Sequence, residues 1–242
     1  MTEPVDWQTE TVPFSQRYGD RYHTTSGARA QTEHVFLGGC GLPQAWQGQK
    51  SWTILETGFG LGLSFLTTWA AWQADPQGPH CLKFFSVEAH PVCSADIKRA
   101  AEEDPLLQPL GHQLAQKWPG ILAQADAAIP ATFSGVRPGE RVELHLLLGN
   151  APDVLTTWAE RHGSILADSL FLDGFDPRCN PVMWSIETLQ AVARHLRPGA
   201  TLATWTVARQ VRNALHDVGA IIHKRPGLPP KRACLAGQMH PE

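Results

Sequence analysis

The chain has 242 residues, 43% of them hydrophobic, and a formal net charge of −3. That length is enough to bury one full core, and the charge gives no overall electrostatic footprint for nucleic acid, so any RNA contact has to come from a local patch. Five scattered cysteines (Cys40, Cys81, Cys93, Cys179 and Cys234) contain no C-x-x-C pair, which points to reduced thiols in a cytoplasm-like compartment rather than a disulfide framework or a zinc site. Residues 1–10 are polar and acidic, unlike a signal peptide. No apolar run approaches the roughly 18 residues of a membrane span, and the histidines lack metal-ligand spacing, so neither membrane nor metal is expected.

Taken in chain order, residues 1–50 show no clean period. They read as an N-terminal extension wrapping the core, including Arg17-Tyr18-Gly19-Asp20-Arg21-Tyr22 and Thr24-Thr25-Ser26-Gly27, with a short helix near 30–36. From Trp52 the pattern alternates. A strand at 52–56 leads into a helix at 61–73, then a strand at 82–88 and a helix at 91–102 with Pro91 in its first turn. Residues 104–140, rich in Pro and Gly, suggest a helical turn and a hairpin turning at 135–139. A strand at 142–148, a helix at 152–162 and a strand at 169–172 follow. Next come a helix at 181–195 ending at Arg197-Pro198-Gly199, a strand at 201–205, a helix at 207–218 and closing strands at 220–224 and 232–236. This alternation implies right-handed crossovers and a mostly parallel α/β sheet with helices on both faces. Without repeats or a long linker, residues 1–242 read as one domain.

The most specific local feature is Glu56-Thr57-Gly58-Phe59-Gly60-Leu61-Gly62. Glycines at the end of a strand let the backbone pass close to a ligand, and the following helix offers free N–H groups and a positive dipole end. A dinucleotide cradle, G-x-G-x-x-G, would put its third glycine at position 63, which is Leu63; here it falls at Gly62. That spacing, opened by acidic Glu56, resembles motif I of class I S-adenosylmethionine methyltransferases, although a tight strand-to-helix corner looks similar. Glu56, Thr57, Gly58, Phe59, Gly60 and Gly62 are therefore candidate cofactor residues.

In such sheets ligands bind beyond the carboxyl ends of the strands. Glu88 closes the second strand, where a carboxylate can accept both ribose hydroxyls of an adenosine cofactor. Asn150 follows the third and suits either the adenine edge or a helix N-cap. Asp173 ends the fourth, placed to orient a nucleophile or take its proton, or simply to cap the next loop. The segment 209–232 carries Arg209, Arg212, Lys224, Arg225, Lys231 and Arg232 against Asp217 alone, a local positive stretch suited to phosphate or to a solvated face.

Several segments together resemble the methyltransferase part of the bacterial MnmC-type tRNA-modifying proteins. They are His34-Val35-Phe36-Leu37-Gly38-Gly39, the glycine loop through Leu63, Ser86-Val87-Glu88, Phe171-Leu172-Asp173-Gly174-Phe175, Asn180-Pro181-x-Met183-Trp184, Ala203-Thr204-Trp205-Thr206 and Lys231-Arg232. The resemblance implies a Rossmann-like class I fold with a mostly parallel seven-stranded sheet and S-adenosyl-L-methionine as cofactor. It implies methylation of the amine of 5-aminomethyl-2-thiouridine at the tRNA wobble position, with upstream wobble-uridine enzymes supplying that amine. Asp173 would be catalytic and also touch the cofactor, with Asn150 completing the cofactor set. Phe175, Asn180, Met183, Trp184, Lys231 and Arg232 would meet the substrate, Phe175 and Trp184 by stacking on the base. The sequence departs from the family in carrying Asn150 for a common Asp, and Asp176-Pro177-Arg178-Cys179-Asn180-Pro181 for a usual Ala-Pro-Ala-Lys-Asn-Pro. The chain ends soon after the last strand, so no flavin oxidase part is expected. A nicotinamide-dependent oxidoreductase and a non-catalytic RNA-binding relative are the readings from other classes.

Overall fold

The computed structural model describes residues 2–7, 12–23, 27–125 and 128–241; Thr24, Thr25 and Ser26, and residues 1 and 8–10 of the acidic N-terminus, lie outside the described residues. Strands β1 (Asp6–Trp7), β2 (Pro13–Ser15) and β3 (Asp20–Arg21) form a small antiparallel sheet of their own. Helix α1 (Ala28–Gln31) runs directly into a π-helical turn at Thr32–Leu37.

The main sheet begins with β4 (Ser51–Thr57), followed by α2 (Leu63–Ala74), β5 (Cys81–Glu88), α3 (Ser94–Glu102) and α4 (Gln108–Gln124). Then come β6 (Ala131–Ser134), β7 (Arg141–Leu148), α5 (Ala151–His162), β8 (Ala167–Leu172) and α6 (Ile186–Ala193). Strand β9 (Leu196–Thr204), helix α7 (Arg209–Asp217), β10 (Ala220–Pro226) and β11 (Ala233–Met239) complete it. The strand order is β10-β11-β9-β8-β4-β5-β7-β6. Pairing is parallel across β9-β8-β4-β5-β7, while β11 and β6 run antiparallel to their neighbours.

The sheet thus has eight strands rather than the expected seven. The extra one is β6, in the stretch read as a hairpin, and it pairs with β7 at the sheet edge. Consecutive residues of the central strands face opposite ways: Ile54 and Phe84 enter one core with Phe65, Trp69 and Trp118, while Leu55 and Phe85 enter the other with Leu170, Val192 and Leu215. Burial on both faces explains why β4 and β5 read as nearly continuous apolar runs.

Three further expectations are corrected. Residues 104–140 hold a 17-residue helix, α4, rather than a turn. Its Pro109 sits in the first turn, where a missing N–H is harmless, and a Cβ on Gly111 would come within 2.3 Å of Ala101, so the glycine allows α3 and α4 to meet. The helix expected at 181–195 is a 3-10 turn, Pro181–Trp184, followed by α6, whose N-cap Ser185 accepts from the Thr188 N–H. Arg197-Pro198-Gly199 lies inside β9 instead of stopping a helix, at an irregularity in the β8–β9 register.

Candidate active site

The chain reverses its strand order at β4, with β5 on one side and β8 on the other, and such a switch leaves a crevice beyond the strand ends. A cavity of about 470 Å³ lies there, lined by Gly58, Phe59, Gly60, Glu88, Asn150 and Asp173 among others. Gly58 and Gly60 both have positive φ (+81° and +54°), a conformation that side chains disfavour. Beyond them, Gly62 (φ +73°) is the N-cap of α2, so the first N–H groups of that helix start behind the loop.

Glu88 ties the cradle together. Its Oε2 accepts from the Gly60 N–H (2.8 Å) and its Oε1 from the His90 N–H (2.7 Å), and an ionised carboxylate has further lone pairs for a ligand. Asn150 occupies the N-cap position of α5, but its side chain makes no capping bond there, and it lines the cavity.

Asp173 follows β8. Its backbone is locked to Thr57: the Thr57 hydroxyl donates to the Asp173 carbonyl (2.7 Å) and accepts from its N–H (3.0 Å). The Oδ1 atom accepts from the Gly174 N–H (2.8 Å) and from the indole N–H of Trp205 (2.9 Å). Burial pushes this carboxyl up to about 6, against the opposing pull of those two donors and the Lys231 ammonium.

The remaining sequence candidates divide. Phe175, Asn180, Met183 and Lys231 line the cavity. Trp184 does not: it is buried, donates to the Phe175 carbonyl (2.8 Å) and meets Trp205 edge-on. It acts as packing behind the reaction loop instead of as a stacking platform. Arg232 is exposed and absent from the lining. Glu56 and Thr57 lie buried behind the glycine loop; Glu56 accepts from the Ser86 hydroxyl (2.6 Å), its Oε1 has no partner, and burial raises its pKa well above the usual range. Gly62 packs against Phe59 and Leu114. The basic segment does not form one arm: Arg225 packs on Gly38 and Gly39, and Lys231 alone of the six enters the cavity.

Sequence reasoning missed the contribution of the small β1–β3 sheet. Tyr18, Asp20, Arg21, Tyr22 and His23 line the cavity. Tyr18 stacks on Phe175 (4.5 Å), Tyr22 meets the same ring edge-on (5.2 Å), and the Asp176 N–H donates to Asp20 (2.9 Å). These are the chain's two tyrosines, set four apart, and that spacing was the available signal. Trp205 was also missed as the residue that orients Asp173.

The lining carries four carboxylates, Asp20, Glu88, Asp173 and Asp176, against Arg21 and Lys231. A dinucleotide pyrophosphate would enter that field as an anion; a sulfonium enters it as a cation. The glycine cradle, the Glu88 carboxylate at the end of β5 and the negative field fit S-adenosylmethionine and the class I methyltransferase pattern on a Rossmann-like sheet. Residues 106–240, more than half of the chain, match the S-adenosyl-L-methionine-dependent methyltransferase family. The chain belongs to that family, and is an enzyme that uses S-adenosyl-L-methionine.

Among curated relatives, the chain is 50% identical to a tRNA 5-methylaminomethyl-2-thiouridine biosynthesis bifunctional protein MnmC of Acidovorax sp., over 96% of this chain and 34% of that protein. It is 46% identical to the protein of the same name from Paracidovorax citrulli, over 100% of this chain and 36% of that one. The chain therefore spans about a third of the length of these relatives. In fold it is similar to the crystal structure of MNMC2 from Aquifex aeolicus (TM-score 0.72, 20% identity, 96% of this chain and 68% of that one). Among the described residues no helix is long and apolar enough to cross a membrane, and no group of three His, Cys, Asp or Glu side chains is placed to hold a metal ion.

Proposed function

We propose that the protein methylates the primary amine of 5-aminomethyl-2-thiouridine at the tRNA wobble position, giving 5-methylaminomethyl-2-thiouridine. The observation that carries this reading is Asp173. It is a carboxylate held by two donors on one oxygen, set between the glycine cradle and a cavity wall rich in negative charge. The names of the MnmC relatives support the choice of acceptor.

In this reading Gly58, Phe59, Gly60, Glu88 and Asn150 hold the cofactor. When bound, S-adenosylmethionine supplies a methyl group on a positively charged sulfur. The chain's own residues then position and desolvate the acceptor. Above about pH 6 Asp173 is ionised and can only accept hydrogen bonds, so it turns the amine N–H toward itself and the nitrogen lone pair toward the glycine cradle. Asn180, Met183, Lys231 and the free edge of Phe175 surround the base, because one face of Phe175 is taken by Tyr18. Upstream wobble-uridine enzymes supply the free amine, and the reaction takes place in the cytoplasm, where tRNA is modified.

The test is transfer of labelled methyl to tRNA carrying the aminomethyl uridine, with unmodified tRNA as control and nucleoside analysis of the product. Label confined to the modified uridine is expected. Cofactor binding without transfer would discard this acceptor.

A further inference from the structure

Asp173 raises a difficulty for amine chemistry. A carboxylate stabilises an ammonium and so raises the pKa of a bound amine. Asp20 and Asp176 line the same cavity and act in the same direction, as does Glu88 at the cofactor end. A primary alkylamine entering such a field would keep its proton and have no lone pair with which to attack.

One cation opposes this at close range. The Lys231 ammonium lies 3.1 Å from the centroid of the Trp205 ring, whose N–H holds Asp173 Oδ1 at 2.9 Å. A single indole thus carries the carboxylate at its edge and the ammonium on its face. Among the described residues Lys231 makes no ion pair within the 4 Å contact range, so its field is not cancelled by a direct partner. The charged groups facing it are Asp173 after β8, Asp176 and Arg178 on the next loop, and Asp20 on β3; Asp176 is already held by the Arg178 guanidinium (2.9 and 3.0 Å). Arg21 and His23 share the cavity wall.

We propose that Lys231 is a positioning residue that shifts the incoming amine beside Asp173 toward its neutral form. This rests on the amine acceptor proposed above. The ammonium of the substrate releases its proton to solvent through the cavity mouth, and the neutral nitrogen is then free to take the methyl. A unit charge roughly 6–10 Å from an amine, at an effective dielectric of about 20, lowers its pKa by about one to two pH units. Burial also lowers the pKa of Lys231 itself, with the three aspartates opposing.

The experiment uses a tRNA anticodon stem-loop labelled with 13C at the aminomethyl carbon, bound to the protein with S-adenosylhomocysteine so that no transfer occurs. The amine is titrated by NMR in wild type, Lys231→Met and Lys231→Arg. In wild type the bound amine should titrate about one pH unit or more below the Lys231→Met complex, with Lys231→Arg close to wild type. In turnover, the acid limb of the kcat–pH profile should move alkaline in Lys231→Met alone, while calorimetric affinity for the cofactor stays unchanged in both variants. If the stem-loop binds but its amine titrates alike in wild type and Lys231→Met, this inference fails and the amine acceptor stands. If the aminomethyl stem-loop binds no better than an unmodified one, the acceptor reading fails and takes the inference with it.

Discussion

At the end of the cavity proposed to take the cofactor the walls are strand ends and a helix start: Gly58 to Gly60 beyond β4, Glu88 on β5 and Asn150 after β7. At the end proposed for the acceptor they are loops, namely residues 173–176 and 180–183, the β3 edge of the small N-terminal sheet and residues 230–231. The first wall is held by the sheet ladder itself. The second is held by individual side chains: Thr57 on the Asp173 backbone, Trp205 on its carboxylate and Tyr18 on Phe175. Changes at the cofactor end should therefore appear in affinity or stability, and changes at the acceptor end in rate.

Asp173→Asn gives the largest expected effect. The amide can keep both hydrogen bonds at its oxygen, yet its NH2 group puts a donor where the second carboxylate oxygen would accept from the amine, so methyl transfer should fall at least about 100-fold. Cofactor affinity by calorimetry should change less than about threefold, corresponding to well under 1 kcal/mol; a larger loss would erase the contrast between the two ends. The same variant tests the cost of the half-buried acid. The native pKa, raised to about 6, lies above that of the unfolded chain, so the native state binds more protons between about pH 4 and 6 and stability falls as pH rises through that window. At pH 7 to 8 Asp173→Asn should be more stable than wild type by roughly 1–2 kcal/mol in urea denaturation, a difference that should vanish below about pH 4.

Glu88→Ala should weaken cofactor binding by about 10- to 100-fold, because the Gly60 and His90 N–H groups lose their shared acceptor and the ribose contact proposed for Glu88 goes with it. A fall in kcat with affinity intact would place Glu88 at the wrong end. Smaller still, Gly62→Ala should cost about 1–3 kcal/mol of stability by thermal or chemical unfolding, since φ is +73° and the new Cβ would sit 2.9 Å from Phe59. The smallest effect belongs to Glu56→Gln. Burial keeps this acid protonated to higher pH and the Ser86 hydroxyl can still donate, so less than about 1 kcal/mol is expected at neutral pH. A large loss of affinity there would mean that the acid reaches the ligand from behind the loop.

The same division governs what could be read from the sequence. Strands β4 and β5 are nearly continuous apolar runs, β7 alternates apolar with polar residues before an apolar end, and each central strand is followed by Gly or closes on or before an acid, so their positions, and with them the proposed cofactor cradle, follow from local pattern. Helix α4 was hidden because Pro109, Gly111 and Pro119 read as breakers, when the first two answer needs of capping and close packing. The acceptor wall was harder. Phe175 and Trp184 look alike in a motif, but which of them reaches the cavity depends on the turn at 181–184 and on contacts with residues far away in sequence. Tyr18 and Tyr22 belong to a segment without periodicity, and their partner Phe175 lies more than a hundred positions later.

The loop that carries Asp173 also carries Phe175, whose ring stacks on Tyr18, and Asp20 holds that loop again at the Asp176 N–H. Tyr22 from the same small sheet rests over Gly60, where a Cβ would come within 3.3 Å of its ring. One lever of chain therefore rests on both the loading side and the reacting side. Under the proposed function, any displacement of it to admit or release the nucleoside cofactor would also loosen the loop proposed to aim the amine. Such a linkage favours a compulsory order of events, in which the acceptor is gripped only after the donor is seated and the spent donor departs only as that grip relaxes.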